Sequence, residues 1–369
     1  MRSLVVVFVV CALGSLAACT GPAAPAVLPA LGPVSASFVS ASTGWLLAVP
    51  PCAARGCRSL RVRETTDGGR SWFAVPAPPA RVSGWPSVIF GESPPEGPAG
   101  SVNSVIFASR SDGWAYGPGL WATHDGGARW HRVETRGMAV TGMAAGNGRV
   151  IAVFARCPAG KPCQSRVYAS PAGTDAWEPV PGTTGAGAGV VIAGPTGYVT
   201  ASRDGAPPVL LAGPAGGAGP WRARPVPCRQ RELGGDVVPL AAAGSVLVLG
   251  CGGQPGAGMQ VKRLYVSDNG GTSWRRLARL PRLGYLGAVS LTPAGTILAS
   301  GGRSDVHISR DGGQTWHTSP SLRRADSADG LAATMITSSQ GFVLQASIYY
   351  KQVWFTYDGG AHWTPVTIR

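Results

Sequence analysis

The sequence predicts an all-β fold of seven similar four-stranded sheets, and three observations carry that expectation. Glycine and proline are abundant, 54 and 32 of 369 residues, and both break helices. The segment Thr65-Thr66-Asp67-Gly68-Gly69-Arg70-Ser71-Trp72 recurs without gaps at 123–130, 267–274, 309–316 and 356–363. A second pattern keeps phase with it: an apolar run, a small or polar turn, then glycine and an apolar residue. A fixed period near 50 residues marks one supersecondary unit that buries its faces against the next copy.

The N-terminus reads as an address. Arg2 precedes an apolar stretch from Leu4 to Leu16, and Leu16-Ala17-Ala18-Cys19 follows. A charged start, a short apolar core and small residues before the cut describe a secretory signal over 1–18. The stretch is too short for a comfortable membrane span. Its end resembles the bacterial lipobox, which implies diacylation of Cys19 and attachment to the cell membrane by lipid. Residues 19–33, rich in proline and alanine, form a tether that reaches roughly 40 Å if extended.

From residue 34 onward the repeat takes over. Phe38…Gly44-Trp45, Phe107…Gly113-Trp114, Ile192…Gly197-Tyr198 and Ile336…Gly341-Phe342 show the glycine turn clearly, and Gly148, Gly244 and Gly295 supply weaker copies. The Asp-Gly-Gly-Trp segments supply Asp67 and Trp72, Asp125 and Trp130, Asn269 and Trp274, Asp311 and Trp316, Asp358 and Trp363. Two decayed copies, at 170–177 and 214–221, lose the acid at Ala172 and Gly216. The seven tryptophans span 291 residues in six intervals, a mean of 48.5. Each unit is then strand A, a glycine turn, strand B, a connection, strand C, the acidic turn and strand D. Radial repetition of such sheets predicts a seven-bladed β-propeller over 34–369, with a β-sandwich as runner-up.

These segments are similar to the Asp-box, or BNR, repeat of sialidases, sortilin-type receptors and the photosystem II assembly-factor family. The residues explain the turn independently. The acid accepts backbone N–H groups two and three residues on, in an Asx-type turn. Glycine permits positive φ. The tryptophan buries its ring between sheets.

Connectivity sorts the loops. A–B and C–D turns leave one face, B–C and D–A connections the other. With Cys11 lost and Cys19 lipidated, six cysteines remain, and proximity pairs Cys52 with Cys57, Cys157 with Cys163 and Cys228 with Cys251 as disulfides of an oxidising compartment. All three pairs fall on the B–C/D–A face, as does an insertion at about 76–100. Elaborated loops on a rigid scaffold mark a ligand face. Arg81, Trp85, Arg229, Arg231, Glu232, Arg303, Asp305, Arg323 and Arg324 are its candidate contacts.

The chain carries a net charge of +14, with only Lys161, Lys262 and Lys351 as lysines among 32 basic residues. Such charge favours anionic partners. No basic run or groove-fitting helix accompanies it, so no nucleic acid is expected. No phosphate loop, Ser-His-Asp set or metal-spaced histidine group appears among His124, His131, His307, His317 and His362, and no metal or cofactor is expected. The resemblance to sialidases implies an arginine triad, a Tyr/Glu pair and a Phe/Tyr-Arg-Ile-Pro motif. The first blade reads Ser37-Phe38-Val39-Ser40 instead. The reading is a non-catalytic binding or scaffold propeller outside the cytoplasm, its partner a protein or an anionic envelope polymer. An exo-sialidase-like glycoside hydrolase is the alternative.

Overall fold

Each glycine turn of the repeat opens a strand in the computed structural model. It describes residues 29–51, 59–83, 97–158, 163–201, 208–228, 236–253, 259–280, 284–301, 305–319, 322, 331–345 and 352–369. Residues 1–28, and so Cys19 and most of the tether, lie outside them. Blade 1 comprises β1 (Gly32–Phe38), β2 (Gly44–Val49), β3 (Arg61–Thr65) and β4 (Phe73–Val75). Blade 2 comprises β5 (Ser104–Phe107), β6 (Gly113–Tyr116), β7 (Leu120–Thr123) and β8 (His131–Arg132). Blade 3 comprises β9 (Ala139–Gly146), β10 (Arg149–Arg156), β11 (Gln164–Pro171) and β12 (Glu178–Pro179). Blade 4 comprises β13 (Ala186–Ala193), β14 (Thr196–Ala201), β15 (Val209–Pro214) and β16 (Arg222–Pro225). Blade 5 comprises β17 (Asp236–Ala243), β18 (Val246–Gly252), β19 (Lys262–Ser267) and β20 (Arg275–Arg276). Blade 6 comprises β21 (Ala288–Leu291), β22 (Ile297–Ser300), β23 (His307–Ser309) and β24 (His317–Thr318). Blade 7 comprises β25 (Leu331–Met335), β26 (Gly341–Gln345), β27 (Gln352–Thr356) and β28 (Thr364–Thr367).

Every sheet keeps chain order and pairs antiparallel. First strands of neighbouring blades pack side by side, which places them at the centre of the ring. The outermost strands are short, and those of blades 2, 3 and 5 are exposed and polar, as in His131-Arg132, Glu178-Pro179 and Arg275-Arg276. Short, charged or proline-bearing edges resist pairing with another chain. Part of the arginine excess therefore serves the rim.

Between blades lie seven apolar clusters, each with one repeat tryptophan packed in or against it. Trp130 lies on the cluster of Trp45, Val62, Val105 and Phe107, between blades 1 and 2. Trp177, Trp221, Trp274, Trp316 and Trp363 do the same at the next five interfaces. Trp72 belongs to the cluster that joins blade 7 to blade 1. Each tryptophan thus covers the interface with the preceding blade.

The ring closes without exchanging a strand, since β28 pairs with β27 of its own blade. Among the described residues, side chains and one backbone bond do the joining. Leu31 N–H donates to Ile368 O at 2.7 Å, and Arg63 Nε to Arg369 O at 2.7 Å. Gln340 Nε2 and the Tyr357 hydroxyl both donate to Gly68 O, and the Arg70 guanidinium sits 4.1 Å over the Tyr357 ring. Phe38 packs against Phe342 and Phe355 across the seam.

The acidic turn is more extended than an Asx turn. In blade 1 the Thr65 hydroxyl donates to Asp67 Oδ1 at 2.9 Å and accepts the Gly69 N–H at 2.8 Å, while Asp67 Oδ1 accepts the Ser71 N–H. In blade 6 Asp311 accepts the Gln314 and Thr315 N–H groups. The acid therefore reaches three and four residues ahead, not two and three. Two consecutive left-handed glycines, Gly68 at φ 75° and Gly69 at φ 92°, widen the loop, and the Ser/Thr hydroxyl takes the earlier amides. Asn269 reproduces the pattern without a charge, accepting the Ser273 N–H and donating Nδ2 to Ser273 Oγ.

Gly360→Ala should cost more than about 1 kcal/mol in urea unfolding. Its Cβ would stand 1.9 Å from Ile308 Cδ1 of blade 6, at a φ of 84° that disfavours side chains. Asp358→Asn should preserve the blade 7 turn as Asn269 preserves that of blade 5, whereas Asp358→Ala should lower the melting temperature. The His362 N–H leads the hydrogen bonds that hold the Asp358 pKa down to about 2, against 3.8 for a free aspartate. A depressed carboxylate contributes stability above its unfolded pKa and loses it as pH falls through its folded one. Between about pH 4 and 2, melting curves of the wild type should therefore fall toward those of Asp358→Asn.

Candidate functional site

The two faces of the ring use their polar groups differently. On the A–B/C–D face, hydrogen bonds tie each turn to its neighbours. Box amides donate to the A–B turn of the same blade, as Gly68 N–H does to Ser42 O and Gly126 N–H to Ser111 O. The carbonyl of the first box glycine then accepts from the preceding blade. Trp45 Nε1 reaches Gly126 O at 3.2 Å, Arg224 reaches Gly270 O, and Arg310 Nη2 reaches Gly359 O at 2.5 Å. With Gln340 and Tyr357 on Gly68 O, four of the five full boxes share this arrangement. Asp67, Asp125, Asp311 and Asp358 all have pKa values lowered below the ordinary carboxylate value; hydrogen bonds within the turn overcome whatever burial does. These acids are structural ions of the turn.

The opposite face is built by the B–C and D–A connections. The Cys157–Cys163 disulfide clips the B–C connection of blade 3, and Cys228–Cys251 ties the connection after blade 4 to β18. Cys52 and Cys57 lie outside the described residues. The described ends of the long insertion are anchored on blades 1 and 2. Arg81 pairs with Ser59, Val102 N–H donates to Arg81 O, and Trp121 Nε1 donates to Gly100 O. Arg81 is exposed, and Asp305 precedes β23 in a half-buried position. They belong to connections of different blades. Trp85, Arg229, Arg231, Glu232, Arg303, Arg323 and Arg324 lie outside the described residues.

Beneath this face, sequence reasoning missed a buried polar layer. Gln260 donates Nε2 to Gly253 O and accepts the Leu286 N–H, so one amide bridges two loops. Lys262 Nζ donates to Gly284 O at 2.8 Å, and burial lowers its pKa to about 8. His307 shares a hydrogen bond between Nδ1 and Thr318 Oγ1. Burial, aided by the Lys262 charge and opposed by Asp305, takes its pKa down to about 4. Long-range packing creates these environments, and the sequence spacing carries no sign of them.

A second group missed by spacing lies on the box face, between blades 2 and 3. His124 is the second residue of the blade 2 box, and His131 opens β8 just after Trp130. Asp175 comes from the decayed box of blade 3. His124 donates from Nδ1 to Asp112 Oδ1 at 2.9 Å and from Nε2 to Asp175 Oδ2 at 3.0 Å. His131 Nε2 donates to the same Asp175 oxygen at 2.8 Å, and Trp114 Nε1 donates to Asp175 Oδ1 at 2.7 Å. Burial by itself depresses the His124 pKa, but hydrogen bonds and charges from Asp112 and Asp175 outweigh it and raise the value. The available sequence signal was an Asp where the other boxes carry none, opposite a box with histidine second.

Comparison with known proteins follows the same repeat. A family model for the BNR/Asp-box repeat matches residues 307–318. No curated protein matches the sequence. A structure of YCF48 bound to D1 peptide superposes with TM-score 0.57 at 18 % identity, covering 90 % of this chain and 95 % of that one. YCF48 from Cyanidioschyzon merolae gives 0.55 at 17 % identity, with 90 % and 97 % covered. A puromycin hydrolase mutant complexed with PGG gives 0.54 at 12 % identity over 90 % of this chain and 54 % of that one. The fold is an Asp-box β-propeller. At these identities the likeness is one of architecture, shared by a peptide-bound protein and a hydrolase, and architecture assigns no activity.

The buried His307 sets a pH response that can be measured. It stays neutral in the fold, while the unfolded chain takes up its proton near pH 6.5. Stability should therefore fall as pH drops from about 6.5 to about 4, because the unfolded state binds more protons there. His307→Gln should flatten that limb in denaturant titrations at stepped pH.

Proposed function

We propose that this chain is a non-catalytic binding or scaffold propeller that meets its partner through the B–C/D–A face. The observation that supports the reading is the division of labour between faces. Four of the five full box turns spend their first glycine carbonyl on holding blade to blade, while the described disulfides and the anchored insertion gather on the other side. A rigid ring presenting elaborated loops is the usual platform for recognition. The propeller of similar shape that carries a D1 peptide supports a protein partner in preference to a polymer.

The location belongs to the same proposal. A lipobox-like Leu16-Ala17-Ala18-Cys19 and a Pro/Ala tether would hold the ring outside the cytoplasmic membrane, where the two disulfides are at home. The wild type should then incorporate a palmitate analogue, and Cys19→Ala should not. Absence of label in the wild type would overturn the anchor.

Retention of a partner tests the binding reading. The full chain, cross-linked in its own cell envelope, should retain a defined protein. Changing Arg229 and Arg231 to Ala should lose that protein with the melting temperature unchanged. Asp358→Ala should do the reverse at temperatures where the fold survives. Release of sialic acid from a fluorogenic glycoside above a heat-killed control would overturn the non-catalytic reading.

A further inference from the structure

The seam between blades 2 and 3 is bonded differently from the one between blades 1 and 2. Blade 3 carries a decayed box in which Ala172 replaces the acid and Thr174 the second glycine. In blade 2 the indole of Trp45 from blade 1 finds a backbone acceptor, Gly126 O. Its counterpart Trp114, also the residue after the strand-opening glycine, finds the side chain of Asp175 instead. A carboxylate has replaced a carbonyl, and its free oxygen faces two imidazoles.

We propose that His124 Nε2, His131 Nε2 and Asp175 Oδ2 form a zinc site that clamps blade 2 to blade 3. One ligand atom from each of the three residues lies within 4.8 Å of the other two. Around a tetrahedral zinc, with bonds near 2.0–2.1 Å, neighbouring ligand atoms stand roughly 3.3 Å apart. The present separations of 3.0 and 2.8 Å from Asp175 Oδ2 must open by a few tenths of an ångström, and the two imidazole nitrogens must settle at the same spacing from each other. His131, with a side chain 55 % exposed, has room to supply it, and that open side leaves the fourth position to water. Zinc would take the place of the Nε2 protons, His124 keeping a proton on Nδ1 toward Asp112 and His131 carrying one on Nδ1.

Two further contacts fit the same chemistry. Zinc-binding histidines commonly donate their other ring nitrogen to a carboxylate, which fixes the tautomer and aims the lone pair. Asp112 does this for His124, and the Ser109 and Ser111 hydroxyls hold Asp112 Oδ2 at 2.7 and 2.8 Å. Trp114 occupies Asp175 Oδ1, so the carboxylate offers a single oxygen to the metal. Two nitrogens and one oxygen favour zinc and its first-row neighbours over calcium or magnesium, which prefer all-oxygen shells. Asp112 is a positioning residue; His124, His131 and Asp175 are the ligands.

The full chain, stripped with a chelator and titrated with zinc sulfate in a calorimeter, should bind one equivalent and gain in melting temperature. Cobalt(II) should give the visible bands of a tetrahedral nitrogen–oxygen site and be displaced by zinc. His131→Gln should weaken binding at least tenfold, and Asp112→Asn, which keeps all three ligands, roughly 10–100-fold. His317→Ala and His362→Ala should change nothing; His362 makes its own exposed pair with Asp358. Near-UV circular dichroism of each variant, unchanged from wild type, separates lost ligation from lost fold. The proposal is overturned if no saturable single site appears, if folded His131→Gln binds as wild type does, or if His362→Ala abolishes the signal.

Discussion

A four-stranded sheet with two apolar faces is stable only when another sheet lies on each side, and here the first glycine carbonyl of the box turn makes that stacking specific. In four blades it accepts a hydrogen bond from the blade before, through tryptophan, arginine or the Gln340–Tyr357 pair. The carbonyl points outward because two left-handed glycines carry the chain around the Ser/Thr hydroxyl. The same loop delivers the tryptophan to the interface beneath. Polar registration and apolar burial thus issue from one eight-residue segment, repeated at a constant interval.

That economy explains how the ring closes without an exchanged strand. Here Gly68 of blade 1 takes two donors from blade 7, where the boxes of blades 2, 5 and 7 each take one from the blade before, and Phe38, Phe342 and Phe355 fill the seam. The bonds from Leu31 to Ile368 and from Arg63 to Arg369 add a clasp near the termini. Closure is one more copy of the internal interface. With one face occupied by this registration, the other is left to the longer connections, which the disulfides and the Gln260–Lys262 layer brace from below.

Much of the fold was legible in the residues because the repeat is local. Gly44, Gly113, Gly197 and Gly341 each mark the opening of a second strand, and the seven tryptophans each mark a blade. Such signals survive because backbone conformation at a glycine pair depends on neighbours only a few positions away. The acid reaches one residue further than an Asx turn implies, since its reach follows from the loop as a whole. The disulfides Cys157–Cys163 and Cys228–Cys251 were readable for the same reason as the turns: their partners sit close along the chain or at matched ends of adjoining blades.

By itself the sequence determined the class of fold, the number and order of blades, the faces to which each connection belongs and the expectation of export. All of these follow from local turn chemistry and constant spacing. Only the tertiary structure decided what lies across an interface. It brought Asp175 against His124, His131 and Trp114, residues 44 to 61 positions away, and it buried Lys262 and His307 far from their ordinary protonation ranges. Desolvation and charge depend on what surrounds a group in space, and in a ring of blades those surroundings come from the neighbouring repeat.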